Sequence, residues 1–531
     1  MKRLQIWLPL LLAIVMIVGM VIGFNLRENI ASNNFFKVTK RTPLQQVLDL
    51  VSLHYVDAVN TDTLADDAID EMLSHLDPHS IYIPASKLQD INEDLQGNFE
   101  GIGVEFQIID DTVNVTNVLL HGPSDAAGLQ TGDQFLKVND SLVAGNHITA
   151  DRIKKLLRGP GSSQVKLEML RNHQQKVLSV KRGTIPLPSL DAAYMLDKNV
   201  GYIKLNKFAE TTYQEFMEAM QKLQKDNMQD LVLDLRGNGG GILLDAVEIA
   251  DEFLDDNKLI VFTQGDKVAK ETYKATKDGV FEKGKLIVLV DELSASASEV
   301  LAGALQDWDR ATIIGRRSFG KGLVQEQYPL SDGSALRLTV ARYYTPLGRS
   351  IQKPYTKGVE EYNKELFERF HNGEVLKEDS TKIIHGAAYK TPGGHVVYGG
   401  GGITPDIFVP LDSSLLVSDI SDVYPDARLN IFLYQFYLNH KAELSHYSSP
   451  ADFTRQFNAE ELWQPLLTFA KKDTVDISQI AAGYKPVFLQ RLKANLARQI
   501  WRTEGFYEVW NSTDPVIKRA EAEMKKQVAV H

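Results

Sequence analysis

A chain of 531 residues with 44% hydrophobic and 24% charged content is too long for one core and has the composition of an ordinary globular protein, so about two to four domains are expected. Its formal net charge of −11 argues against nucleic acid as the main partner. The absence of cysteine excludes disulfides, thiolate metal sites and a lipobox.

After Lys2-Arg3, residues Ile6 to Phe24 form a run of 19 without a charge, long enough to span a bilayer. No small-x-small cleavage site follows before Asn25-Leu26-Arg27-Glu28, so residues 1–27 read as an uncleaved signal anchor rather than a removed signal peptide. Residues 28–96 read as helical from about 43, with Leu44, Val47, Leu48 and Val51 and then Leu64, Ile69, Met72, Leu73 and Leu76 at helical spacing. Asp77-Pro78-His79-Ser80 ends the pattern. His75 and His79 stand four apart, but Pro78 breaks the helix between them and no third metal ligand is apparent.

From 97 to 183 short alternating strands take over. Phe99-Glu100-Gly101-Ile102-Gly103-Val104-Glu105-Phe106 carries two glycines that let successive backbone N–H groups face a carboxylate. Gly122-Pro123-Ser124-Asp125-Ala126-Ala127-Gly128-Leu129-Gln130-Thr131-Gly132-Asp133 precedes a strand from Gln134 to Val138, and a helix follows over Ala150 to Leu157. The two phrases resemble a PDZ domain of the bacterial protease type. That resemblance implies tail binding at Gly101, Ile102, Gly103 and Val104, with the peptide adding as a strand.

Residues 184–412 alternate strand and helix. Val200 to Leu205 and Leu231 to Leu235 read as buried strands, and Gln214 to Leu223 as an amphipathic helix. Arg236-Gly237-Asn238-Gly239-Gly240-Gly241 then leads into a helix over Leu243 to Leu254; glycines there present N–H groups to a ligand or serve a sharp turn. Leu286 to Val290 is a strand, broken at Asp291-Glu292-Leu293 and followed by Ser294-Ala295-Ser296-Ala297-Ser298. The apolar helical face Val300, Leu301, Ala304 and Leu305 comes next. A serine at such a helix start lies among unpaired N–H donors suited to an oxyanion. A serine nucleophile needs a base, and with no histidine in this stretch Lys321 is the economical choice. Gly315 to Lys321 also fits Gly-x-x-x-x-Gly-Lys, but Gly322 replaces the Ser/Thr of a P-loop and Leu323 to Tyr328 alternates as a strand.

The run Ser294 to Glu299, then Ala302-Gly303-Ala304-Leu305-Gln306-Asp307, Phe319-Gly320-Lys321-Gly322 and Val324-Gln325 resembles the carboxyl-terminal processing peptidases, the tail-specific Ser/Lys proteases of family S41. The resemblance implies Ser296 as nucleophile, Lys321 as general base and Gln325 orienting the lysine. It further implies an oxyanion hole from the Ala297 N–H and that of Gly239 or Gly240. The implied fold is multidomain α+β: membrane helix, helical N-terminal region, PDZ domain, an α/β core of the ClpP/crotonase-like type with an insertion near 354–390, and a helical C-terminal extension over 413–531. No metal or organic cofactor is implied. Protein substrates with exposed apolar C-termini are the expected partners, with self-association or a helical-repeat adaptor regulating access. The expected location is the bacterial envelope, anchored in the cytoplasmic membrane with the catalytic part in the periplasm. Arg316-Arg317 stands where the family commonly has an acidic residue; the pair either adds positive charge near Lys321, which would favour the neutral lysine, or faces solvent. A catalytically idle PDZ scaffold and a crotonase-type acyl-thioester enzyme are the alternatives. The first needs no Ser296-Lys321-Gln325 set, and the second needs no tail-binding domain.

Overall fold

The computed structural model describes residues 12–22, 42–377, 386–412, 424–478 and 483–526. Residues 1–72 form one compact unit and 73–531 another. In the first, residues 12–22 are helical, and Pro43–His54 starts behind Thr42, whose hydroxyl accepts from the Gln45 N–H. The expected anchor at 6–24 falls partly outside the described residues, and among these no helix is long and apolar enough to cross a membrane.

In the second unit, five antiparallel strands stand in the order Val104–Ile109, Thr112–Val118, Gln134–Val138, Gln164–Arg171, Gln174–Lys181. The helix Ala150–Leu157 packs on them through Ile153 and Leu157, with Thr149 accepting from the Arg152 N–H as its cap. Val104–Ile109 is an edge strand, so its outer side is available for a peptide to pair with. Asn98–Gly101 and Gly183–Pro186 pair antiparallel where the chain enters and leaves this module.

The core is a six-stranded sheet in the order Leu190–Met195, Val200–Leu205, Asp230–Asp234, Leu286–Val290, Thr312–Gly315, Ile407–Phe408. Its first pair is antiparallel and the rest are parallel. Parallel strands covered on both faces have to be apolar throughout, which is why Leu286 to Val290 is an unbroken aliphatic run with every residue buried. Thr212–Lys225, Leu243–Asp251 and Ala297–Asp307 cover one face. A second, antiparallel sheet holds Ile81–Ile83, Ala335–Tyr344, Leu259–Gln264 and Glu271–Lys274, with Leu323–Pro329 also paired to Ala335–Tyr344. Ala335–Tyr344 is one continuous strand through Ala341-Arg342, with Arg342 exposed between the buried Ala341 and Tyr343.

The described residues between 426 and 524 are mostly helical, but they are not the appendage their sequence suggests. Tyr434 donates from its buried hydroxyl to the Val115 carbonyl of the PDZ-like sheet at 3.1 Å. Asn511 donates to the Tyr194 hydroxyl at 2.8 Å, and Arg236 donates to Asp514 at 2.8 Å. The last described helix, Pro515–Met524, lays Val516, Ile517, Ala520 and Met524 over Tyr202, Val232, Ile287, Leu289 and Ile314 on the outer face of the core sheet. Each large aliphatic side chain buried there stabilises by about 1.5–3 kcal/mol. The preceding helix, Lys485–Asn511, breaks at Trp501 and Arg502 (φ 65°), and the Arg502 guanidinium donates to the Val118 carbonyl.

Candidate active site

The site is built where two parallel strands end. Leu286–Val290 stops at Asp291, and the chain turns sharply so that Ser296 sits at φ 56°, ψ −116°, immediately before the helix Ala297–Asp307. A β-carbon carrier in that region costs of order 1–3 kcal/mol, so the surroundings must impose it. Glu299 supplies much of that constraint. Fully buried, its carboxylate accepts from the N–H groups of Ser296 (2.9 Å), Gly320 (2.7 Å) and Lys321 (2.8 Å) and from the Ser318 hydroxyl (2.5 Å). Burial pushes this carboxyl above its ordinary value, and the four donors pull against that. The buried Tyr343 hydroxyl ties the same two segments from the other side, donating to the carbonyls of Ser296 (3.0 Å) and Lys321.

The neighbouring strand, Asp230–Asp234, ends in the glycine turn. Burial alone would push the Asp234 carboxyl up, but Arg236 and Lys204 more than offset it and hold it well below the usual range. Asn238, also buried, stitches this turn to the serine turn: its carbonyl accepts from the Ala295 N–H (3.0 Å) and the Ser298 hydroxyl (2.9 Å). Gly240 has φ +94°, and a Cβ there would lie 2.7 Å from both the Ala295 carbonyl oxygen and the Ser296 Cβ. Only glycine fits so close an approach. The Gly240 N–H is already taken by the Asn238 Oδ1 at 2.9 Å. Among the described residues the N–H groups of Gly239 and Ala297 have no such partner.

A cavity of about 540 Å³ brings Ser296, Ala297, Lys321, Gln325, Gly239 and Gly240 together. The Lys321 ammonium is lowered from its ordinary value first by burial and then by the Arg337 guanidinium, against opposing pulls from Glu299 and Asp77. Of the two readings open for Arg316 and Arg317, neither holds: they are not the source of that positive field, and they do not face solvent. Arg316 is paired with Glu292 (2.7 Å), and Arg317 with Glu374 (2.6 Å) and Glu365 (3.0 Å), which spends both charges locally. Gln325 donates to the Thr339 hydroxyl at 3.3 Å, and Thr339 in turn donates to Asp77 at 2.9 Å, whose other oxygen accepts from Ser80. Among the described residues no hydrogen bond joins Lys321 to Ser296 or to Gln325.

The phrase Asp77-Pro78-His79-Ser80 therefore reaches the base from the N-terminal side of the chain. His79 Nε2 lies 2.9 Å from the Tyr362 hydroxyl, and burial, then Lys321, lowers its imidazole to about 4. The helix Val359–His371, in the stretch read as an insertion, anchors the lysine loop: Arg369 donates to the carbonyls of Ser318 (2.8 Å) and Phe319 (3.2 Å). Sequence reasoning missed Glu299, Tyr343, Thr339 and Arg337. Of these only Glu299 left a signal, the Ser-x-x-Glu spacing of a capping box. Glu299→Gln sets an amide NH₂ among donors, and a loss of roughly 2–3 kcal/mol is expected, read as a lower urea midpoint with unchanged slope.

A strained serine between strand and buried helix, a lysine held in the same cleft and a PDZ-like module place the chain in a class: multidomain α/β serine-type peptidases. The family model for peptidase family S41 matches residues 199–361, that for the PDZ domain matches 101–181, and a family of unknown function matches 420–502. The chain belongs to peptidase family S41. It is 35% identical over 333 residues to the carboxy-terminal-processing protease of Bartonella bacilliformis, covering 61% of this chain and 76% of that one. It is 35% identical over 334 residues to a probable CtpA-like serine protease of Staphylococcus haemolyticus, covering 62% of this chain and 66% of that relative. Among solved structures, the photosystem II D1 C-terminal processing protease is 26% identical, covering 70% of this chain and 88% of that chain at a TM-score of 0.34.

Proposed function

We propose that this chain is a serine endopeptidase that takes hold of protein C-terminal tails through its PDZ module and cleaves by a Ser/Lys acyl-enzyme route. The observation that carries the reading is the convergence of Ser296, Lys321 and the unpaired N–H groups of Ala297 and Gly239 on one cavity. Ser296 Oγ attacks the scissile carbonyl while Lys321 Nζ takes its proton, and the oxyanion is met by Gly239 and Ala297. Gly240 is left out of the donor pair because its N–H is spent on Asn238. Lys321 returns the proton to the leaving amine, then activates the water that releases the acyl group from Ser296. Gln325, which lines the same cavity and is held through Thr339 to Asp77, is assigned to orient the lysine once substrate has closed the gap between them.

Tail capture falls to Gly101, Ile102, Gly103 and Val104. Gly103 takes φ +74° at the start of the edge strand, as a loop cupping a carboxylate requires. With no hydrogen bond yet joining Lys321 to Ser296, tail binding has an alignment left to complete. The uncharged run from Ile6 to Phe24 supports anchorage in a bacterial cytoplasmic membrane with the catalytic part in the periplasm. Self-association or a helical-repeat adaptor would then govern access.

The test offers an unstructured protein with a free apolar C-terminus, and the same protein amidated, to the parent chain and to Ser296→Ala, with products read by mass spectrometry. Cleavage by the parent alone, faster with the free carboxylate, is expected. Cleavage that survives Ser296→Ala removes the proposed nucleophile. Binding of the free tail without any cleavage returns the chain to the idle-scaffold reading.

A further inference from the structure

The strand Ala335–Tyr344 runs along the catalytic cavity, and its residues do three different things there. Tyr343 ties the Ser296 and Lys321 carbonyls, Thr339 holds Gln325, and Arg337, on the same face by the two-residue period of a strand, lines the cavity itself. The charge on Arg337 is unanswered. Among the described residues its guanidinium has one hydrogen-bond partner, the neutral Gln327 Oε1 at 3.0 Å. Other enclosed arginines are satisfied: Arg236, Arg316, Arg317 and Arg349 each meet a carboxylate, and Arg182 and Arg310, which meet none, each spend their guanidinium on several backbone carbonyls. Lys207, which also lines the cavity, is neutralised by Asp94 at 2.7 Å.

A guanidinium offers five donors in a plane matched to a carboxylate, and enclosing it without an anion is unfavourable. Burial indeed pulls the Arg337 guanidinium down, with no acidic neighbour raising it. Part of its role is its field, which adds to burial in favouring the neutral, proton-accepting form of Lys321. A field alone does not require a cavity-lining guanidinium whose donors, but for the one on Gln327, no described residue takes.

We propose that Arg337 is a specificity-determining residue of the cleft, whose guanidinium takes a carboxylate of the bound substrate. The carboxylate is supplied by an Asp or Glu side chain flanking the scissile bond or by the terminus of a short departing tail. This rests on the peptidase reading above.

Two peptide sets separate the sources. The first is a long peptide with a free apolar tail, carrying Glu, Gln or Lys in turn at each position flanking the scissile bond. The second is a short peptide that ends just beyond that bond, free or amidated. Both are offered to the parent, Arg337→Gln and Arg337→Glu, and kcat/KM is compared between partners within one enzyme, so that any change at Lys321 cancels. In the parent, one carboxylate is expected to raise kcat/KM about ten-fold, the worth of one charge-assisted hydrogen bond. The ratio falls to about one in Arg337→Gln, and in Arg337→Glu the Lys peptide overtakes the Glu peptide when the carboxylate is a side chain. Equal rates throughout in a parent that does cleave overturn the inference and leave the peptidase reading standing, as does a preference that survives Arg337→Gln. A parent that cleaves nothing overturns both.

Discussion

Ser296→Ala abolishes peptide cleavage, by a factor on the order of 10⁶ if this pair depends on its nucleophile as other serine peptidases do. The fold survives the change, because the turn is held through backbone atoms: the Ser296 N–H by Glu299 and its carbonyl by Tyr343. Alanine inherits the positive φ of 56° along with its cost. Ser296→Gly relieves that cost, so it is expected to melt higher than Ser296→Ala while being equally inactive. Circular dichroism melts beside a discontinuous peptide assay separate the two effects.

Lys321→Met brings a loss of similar order, and the double variant with Ser296→Ala is no worse than either single one, since nucleophile and base act as a unit. Its second signature is in stability. The Lys321 ammonium is lowered in the folded chain by burial and by Arg337, while in the unfolded chain it has its ordinary value near 10.5. Between those two values the unfolded state binds more protons, so stability rises with pH across the window and is lost as pH falls through the folded value. Methionine removes that dependence. The variant is expected to melt higher than the parent at neutral pH, by roughly 2–4 °C for each 1 kcal/mol recovered. A lower melt at every pH would mean that Lys321 is a structural cation and not a strained base. Parent activity, conversely, climbs with pH as Lys321 gives up its proton.

Much of this was legible in the sequence for local reasons. The runs Val200 to Leu205 and Leu286 to Val290 are apolar without alternation because both faces of their sheet are covered, and such a run can be recognised without knowing what covers it. The serine turn and the glycine turn were visible because each needs small residues at fixed spacing. What was not visible depends on partners far along the chain. Arg316 and Arg317 left a positive field and a solvent-facing pair equally open, because their partners Glu292, Glu365 and Glu374 lie elsewhere in the chain. Arg337 looked like any strand arginine, and its place in the cavity comes from pairing with both Leu323–Pro329 and Ile81–Ile83. The choice between Gly239 and Gly240 turned on one side-chain oxygen of Asn238. The C-terminal extension was legible as helical, but helical periodicity says nothing about which surface those helices will meet.

That last contact bears on how the molecule is made. A chain emerging from the ribosome presents the strands carrying Tyr202, Val232, Ile287, Leu289 and Ile314 long before Val516, Ile517, Ala520 and Met524 exist to cover them. Until then the sheet that carries the nucleophile has one oily side open to water, and nascent chains in that condition stick to one another or to chaperones. A polypeptide stalled before residue 515 would leave that face bare, an unfinished fold that quality control can recognise.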